Sequence, residues 1–243
     1  MKKIFILGIL GLSILFAAKL NAYGYGYVKR GNDVEIGKYE EELKDTNSFY
    51  KGSGKRVYLT FDCGYENGYT AKILETLKKN NVTAIFFITG HYLKTSPTLV
   101  QQMREDKQII ANHTNHHKHL TKVSDEAAIN DITELETMYL TLTGDALAPF
   151  YRPPAGEFTR EKLLKVKDLG YTTLFWSLAY HDWDKNLEPT KALQILEKGL
   201  FDGAIILLHA VSETNALILD DFIKLVKSKG YTFSSPYDFV NEL

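Results

Sequence analysis

Val57-Tyr58-Leu59-Thr60-Phe61-Asp62-Cys63-Gly64 is a mostly apolar run that ends on a carboxylate. Its β-branched and aromatic residues, with no regular polar alternation, suit a strand buried on both faces. Further short apolar runs follow at 83–88, 108–111, 150–152, 172–176, 204–208 and 231–234, which makes seven strand candidates with the first at 57–61. Between them apolar residues recur at three- and four-residue spacing, as in Ile73, Leu74 and Leu77, or Ile129, Ile132, Leu135, Met138 and Leu142, and predict helices. Ser124 is placed to begin one helix, and Gly170 and Gly230 to close two others. Strands buried on both faces and separated by helices predict an α/β fold of parallel strands with right-handed crossovers. Periodicity alone leaves a closed barrel and an open doubly wound sheet both standing. The polar residues cluster at one end of the runs: Asp62, His113, Arg152, Asp182 and His209 each end or closely follow one. In barrel enzymes the C-terminal strand ends are where sites assemble.

Outward from these runs, Lys2 and Lys3 precede an uncharged, mostly apolar stretch over 4–18, with Ala22 shortly after. Residues 1–22 read as a secretory signal peptide, with an uncleaved N-terminal anchor as the alternative, so the bulk of the chain is expected to be exported. Residues 23–54 read as an extended N-terminal arm, and 55–243 as one large domain. A formal net charge of −1 with interspersed signs leaves no footprint for nucleic acid. Cys63 is the lone cysteine, so no internal disulfide forms and the fold relies on its core.

The run ends carry chemistry. Asp62, followed by Gly64, presents a carboxylate and the neighbouring Cys63 thiol towards a pocket; the alternative is an aspartate capping a helix that starts near Asn67. In His113-Thr114-Asn115-His116-His117, imidazoles at i and i+4 share a face once the chain turns helical, so His113 and His117 converge on one ion. A surface histidine cluster without a ligand is the alternative. With Cys63 added, a Cys-His-His set leaves one position open for water, as catalytic zinc sites do. Arg152-Pro153-Pro154-Ala155-Gly156 places a cation just past a strand end, where it needs a carboxylate partner. Trp183 or Tyr180 offers an aromatic floor for a sugar ring, whereas Trp176, inside an apolar run, reads as core.

Taken together, these segments resemble the NodB-homology polysaccharide deacetylases, carbohydrate esterase family four. The likeness runs from about Val57 to the C-terminus. Phe61-Asp62-Cys63-Gly64-Tyr65-Glu66-Asn67-Gly68-Tyr69, Phe86-Phe87-Ile88-Thr89-Gly90-His91-Tyr92-Leu93 and Phe175-Trp176-Ser177-Leu178-Ala179 look most like the PdaA-type muramic δ-lactam deacetylases of the spore cortex. The resemblance implies a distorted (β/α)7 barrel and metal-dependent hydrolysis of N-acetyl groups on peptidoglycan amino sugars. It implies Asp62 as base, His113 and His117 as metal ligands, Arg152 orienting the base, His209 as acid paired with Asp182, and the Ala155 N–H as oxyanion donor. Trp183 matches the groove aromatic, and Tyr65, Glu66 and Asn67 are expected at the substrate. Where the family carries a second aspartate ligand this chain has Cys63. If its thiolate binds, softness favours Zn²⁺ over Mg²⁺, Ca²⁺ or Mn²⁺; if not, the site rests on two imidazoles and waters. The substrate implied is a peptidoglycan glycan strand already stripped of stem peptides by an amidase. The rival expectations are a deacetylase of chitin-like or N-acetylglucosamine glycans, and a metal-deficient glycan-binding relative.

Overall fold

A computed structural model describes residues 21–22 and 39–240; the expected signal segment before Asn21 and residues 23–38 of the expected arm lie outside them. Eleven strands occur among the described residues: β1 (Asn21–Ala22), β2 (Ser48–Phe49), β3 (Arg56–Cys63), β4 (Ile85–Ile88), β5 (Ile109–Asn112), β6 (Phe150–Tyr151), β7 (Glu157–Phe158), β8 (Thr172–Leu174), β9 (Leu178–Ala179), β10 (Ala204–His209) and β11 (Thr232–Phe233). The helices are α1 (Glu40–Leu43), α2 (Thr70–Lys79), α3 (Gly90–Thr95), α4 (Pro97–Glu105), α5 (Asp125–Thr143), α6 (Arg160–Asp168), α7 (Pro189–Gly199), α8 (Glu213–Ser228) and α9 (Tyr237–Val240). All seven expected runs form strands, namely β3, β4, β5, β6, β8, β10 and β11.

Nine strands make one sheet in the order β2-β8-β6-β5-β4-β3-β10-β9, with β11 also on β3, and every pair is parallel. β8 and β9 lie near opposite ends of that order, yet only residues 175–177 separate them. Those residues carry the chain across the gap and curl the sheet into the distorted barrel. The crossing residues are tied at both ends: the Phe175 amide donates to Phe49 O of β2 (2.8 Å), while on the β10 side the Ser177 amide donates to Ile205 O (2.9 Å) and the Ile205 amide to Ser177 Oγ (3.0 Å).

The strand period of two sorts the core into an outer and an inner layer. Val57, Leu59, Phe61 and Cys63 of β3, Phe86 and Ile88 of β4, and Ala204, Ile206 and Leu208 of β10 pack with helices α2, α4, α7 and α8. The alternate residues Tyr58, Ile85, Phe87, Ile205 and Leu207 fill the barrel interior with Phe175 and Trp176. Phe61 and Phe86 stack in the outer layer, ring centroids 5.2 Å apart. Such a pair adds about 0.5–1.5 kcal/mol beyond its area burial. Helix ends follow local chemistry. Ser124 Oγ accepts from the Ala127 amide (3.2 Å) to cap α5, and Gly170 and Gly230 follow α6 and α8 at positive φ.

The expected arm differs from an extended wrap in its second half. Residues 39–54 contain α1 and β2, with Tyr39 and Leu43 buried in the inner-layer cluster and β2 paired to β8 at the sheet edge. Two apolar anchors and a ladder partner make this segment part of the domain.

Candidate active site

Asp62 and His209 are register partners on adjacent strands β3 and β10, so their side chains project from neighbouring C-terminal strand ends. Behind Asp62 sits Arg152, the first residue after β6 and fully buried. Its Nη1 donates to Asp62 Oδ1 and to Thr60 Oγ1 (both 2.8 Å), Nε to Leu174 O (2.9 Å) and Nη2 to Phe175 O (3.0 Å). One guanidinium therefore holds both the carboxylate and the segment that closes the barrel. Thr60 shares the inward face of β3 with Asp62, two residues away, and its hydroxyl donates to Ile206 O (2.7 Å). Burial alone would raise the Asp62 pKa. Arg152, His113 and His209 outweigh it and hold the carboxyl below the usual range.

His113 follows β5, and its Nδ1–H donates to Arg152 O (2.8 Å). That bond sets the tautomer, leaving the Nε2 lone pair turned towards Asp62 Oδ2 at 3.5 Å. The His117 ring meets it edge to face, centroids 4.8 Å apart. Convergence of this pair is achieved without the expected helical turn. Thr114 and His117 have positive φ, and the loop is held by the Thr114 amide on Asn112 Oδ1 (2.8 Å) and the His117 amide on Thr114 Oγ1 (3.0 Å). Asx-type bonding of this kind competes with helix formation. Burial, and for His113 also the neighbouring His117, pushes His113 down to about 4 and lowers His117, so both rings are neutral donors at neutral pH. Both imidazoles line one cavity with Asp62, and neutral imidazole nitrogens are donors that suit a divalent ion.

Cys63 is not part of that set. As the residue after Asp62 on a continuous strand it points to the opposite face, where it is fully buried among Leu and Phe side chains of the outer layer. Burial, with Asp62 and Glu66 nearby, pushes the thiol well above its ordinary value, which opposes the thiolate a metal needs. Metal content and activity of Cys63→Ala are therefore expected to match the unaltered protein, whereas His113→Ala loses the ion. Loss of metal from the Cys63 variant, measured by elemental analysis, would restore the thiol as a ligand. Among the described residues the three side chains whose donor atoms lie within 4.8 Å of one another are His116, Asp131 and Glu134, next to the site. There the His116 ring is already tied to Asp131 (2.5 Å).

On β10, the His209 Nδ1–H donates to Asp182 Oδ1 (2.8 Å), and its backbone amide donates to Asp182 Oδ2 (2.6 Å). Burial works against the charged ring, but Asp182 and then Asp62 outweigh it and raise the His209 pKa. Asn215, fully buried in the first turn of α8, donates to Asp182 Oδ2 (2.5 Å) and His209 O (3.1 Å) and accepts from the Tyr180 hydroxyl. Ser212 caps the same helix and donates to Asp182 O (2.6 Å). Nothing in the spacing marks Asn215, since a single polar residue on an amphipathic helix reads as solvated. Removing its bond to a charged group, a kind worth about 1.5–3 kcal/mol, is expected to lower kcat at least tenfold in Asn215→Ala with KM little changed. A change confined to KM would remove Asn215 from the ring-positioning network.

A cavity of about 600 Å³ opens over these groups, lined by Asp62, Tyr65, His113, His117, Ala155 and His209 among others. Ala155 sits at φ 55°, a left-handed conformation costly for any residue with a Cβ, inside the Pro154–Gly156 turn. Trp183, half exposed, stands edge-on to the His209 ring at 5.6 Å. Two other expected substrate contacts are spent on the protein. Glu66 accepts from the Gly68 and Thr70 amides (2.6 and 3.4 Å) and the Thr70 and Tyr92 hydroxyls, capping α2, which starts at Thr70 rather than near Asn67. Asn67 ties its loop to Val211 O (3.2 Å). Tyr180 is buried on Asn215 and forms no sugar floor.

Residues 50–174 match the family model described as polysaccharide deacetylase. The peptidoglycan-N-acetylmuramic acid deacetylase PdaA of Bacillus subtilis is 42% identical over 204 residues, 82% of this chain and 78% of that protein. The solved structure of Bacillus subtilis PdaA, a family 4 carbohydrate esterase, aligns with a TM-score of 0.84 at 37% identity, covering 92% of this chain and 98% of that one. The peptidoglycan-N-acetylglucosamine deacetylase PgdA of Listeria monocytogenes is 32% identical over 181 residues, 74% of this chain and 38% of that protein. A family match over half of the chain, on the same curled parallel sheet that presents Asp62 and His209 side by side, places this protein in the polysaccharide deacetylase family.

Proposed function

We propose that this protein hydrolyses the N-acetyl group of N-acetylmuramic acid in peptidoglycan, on the route to muramic δ-lactam of spore cortex, as an exported enzyme. The observation that carries this reading is the pairing of a carboxylate whose pKa is lowered with an imidazole whose pKa is raised, in register on neighbouring strands and open to one cavity. Members of the family are metal-dependent. Residues His113 and His117, with Asp62 beside them, are the ones to hold the ion, and Zn²⁺ suits their donor atoms. A bound divalent ion supplies Lewis acidity to the acetyl carbonyl and lowers the pKa of water.

In this mechanism Asp62 takes a proton from the attacking water as the new C–O bond forms. The Ala155 N–H donates to the developing oxyanion, a kind of contact worth about 3–4 kcal/mol. His209 then gives its proton to the amide nitrogen as the C–N bond breaks, since an unprotonated amine leaves poorly. Acetate and a free sugar amine result. Closure of the lactam is attack of that amine on the lactyl carboxyl of the same sugar, with loss of water, and is helped by its intramolecular nature. It requires the stem peptide to be gone, so an amidase acts first.

The test is acetate release from peptide-stripped glycan and from N-acetylglucosamine oligomers, with and without chelator and added Zn²⁺, with products read by mass spectrometry. Chelator-sensitive release from the muramic substrate is expected. Release only from the glucosamine oligomers would overturn the muramic assignment, no release from either the deacetylase reading, and free amine without lactam the cyclisation.

A further inference from the structure

Helix α3 brings two cationic-type side chains, His91 and Lys94, one turn apart onto the cavity that holds Asp62, His113 and His209. The helix is fixed firmly to the metal-type loop. The Gly90 amide is shared between Thr114 O (3.2 Å) and Asn115 O (3.1 Å), and a Cβ at Gly90 would lie 1.7 Å from Asn115 Oδ1. Thr89 caps α3 by accepting from the Tyr92 amide (3.1 Å) and donates to Gly64 O (3.1 Å), which joins the helix to the turn after β3. Lys94 is thus exposed, on a helix whose first turn is hydrogen-bonded to the loop that carries His113.

The charges around that wall are one-sided. Asp62 is the single carboxylate lining the cavity, and it is already held by Arg152 and faced by His113. No carboxylate among the described residues pairs with Lys94, which lines the cavity from its exposed rim. A lysine kept without a partner at the mouth of an otherwise committed site has three N–H donors to offer an incoming anion.

We propose that Lys94 binds the free lactyl carboxylate of the sugar being deacetylated, and so selects muramic acid stripped of its peptide over glucosamine, which has no such ether. This rests on the deacetylase reading above. The chemistry is complementary in both directions. An intact stem peptide converts the carboxylate to a neutral amide and removes the charge Lys94 would meet, so the same contact would enforce the order in which an amidase precedes this enzyme.

The experiment compares purified full-length protein with Lys94→Gln on two glycans: peptide-stripped strands with free lactyl carboxylates, and the same strands with those carboxylates converted to N-methylamides. The quantity read is the ratio of kcat/KM on the two. The unaltered protein is expected to prefer the free acid by about tenfold or more, equivalent to ~1.4 kcal/mol. In Lys94→Gln the ratio falls towards one, the change lies in KM, and the preference of the unaltered protein shrinks as salt is raised. A ratio that survives the substitution, or an unaltered protein that treats both glycans alike, overturns the role of Lys94 while leaving deacetylation standing. Failure of the unaltered protein on both glycans overturns the muramic reading, and this inference with it.

Discussion

Asp62→Asn lowers kcat/KM for acetate release by about 10²–10⁴-fold, the range typical of a lost general base, while the protein stays folded. The substitution is isosteric, and the amide oxygen can still accept from Arg152 Nη1 where Asp62 Oδ1 does now. What disappears is the proton acceptor and the negative charge. Arg152 is fully buried, and breaking a buried pair by removing one partner costs about 3–5 kcal/mol. Here the guanidinium keeps Thr60 Oγ1, Leu174 O and Phe175 O, so the loss falls at or below the low end of that range. The linkage sign follows from the lowered pKa: Asp62 contributes stability above its unfolded value near 3.8, and that contribution is lost as pH falls through the folded value. The difference in melting temperature between the two proteins is therefore expected to narrow under acid. Arg152→Met removes the main charge that lowers the Asp62 pKa, so residual activity in that variant should lose its acid side at higher pH. Activity of Asp62→Asn within tenfold of the unaltered protein, with metal still bound, would remove Asp62 as the base.

The strands were readable because each long one is apolar on both faces. The runs at β3, β4 and β10 need no partner to be recognised, and the polar residues that end them point to the functional rim. The two-residue strands β1, β2, β7 and β9 are too short to carry any period, and they owe their pairing to the backbone neighbours the fold provides. Closure of the barrel was unreadable for a related reason: it depends on residues 175–177 being held by Arg152 and Ile205, contacts between segments far apart in the chain. At the site, Asp62, Arg152, His113 and His209 are legible as polar residues at strand ends, and His117 from its spacing to His113. Proximity in sequence leaves Cys63 open as a ligand, and strand alternation, which turns adjacent residues to opposite faces, decides against it. The family likeness places Glu66 and Asn67 at the substrate, but the polar turn before α2 uses Glu66 to satisfy its own amides and Asn67 to donate to Val211 O. Asn215 and Thr60 act through Asp182 and Arg152, and such supporting roles leave no mark until the partners are in place.

His209→Gln should divide substrates by their leaving group. On an N-acetyl glycan the amine must be protonated as it departs, and losing the donor is expected to cost about 10²–10⁴ in kcat. An aryl acetate ester expels a stable phenolate and needs no such proton, so the same variant should lose less than about tenfold there. Equal losses on both would mean that His209 serves binding or folding and not proton transfer. Asp182→Asn probes the same ring from behind. Asp182 Oδ2 now accepts from two donors, the His209 amide and Asn215 Nδ2. An asparagine must keep its oxygen there and turn its NH₂ towards His209 Nδ1, which then has to accept rather than donate. The protonated ring, with donors on both nitrogens, is disfavoured, so the alkaline side of the kcat/KM profile should move to lower pH. Stability shifts with it. Because folding raises the His209 pKa above 6.5, the pairing contributes fully below that value and is lost as pH rises through the folded one. The stability gap between the unaltered protein and Asp182→Asn should accordingly be widest in mild acid and close at alkaline pH. A gap that widens with pH would show that the ring is held neutral, and would move the acid role away from His209.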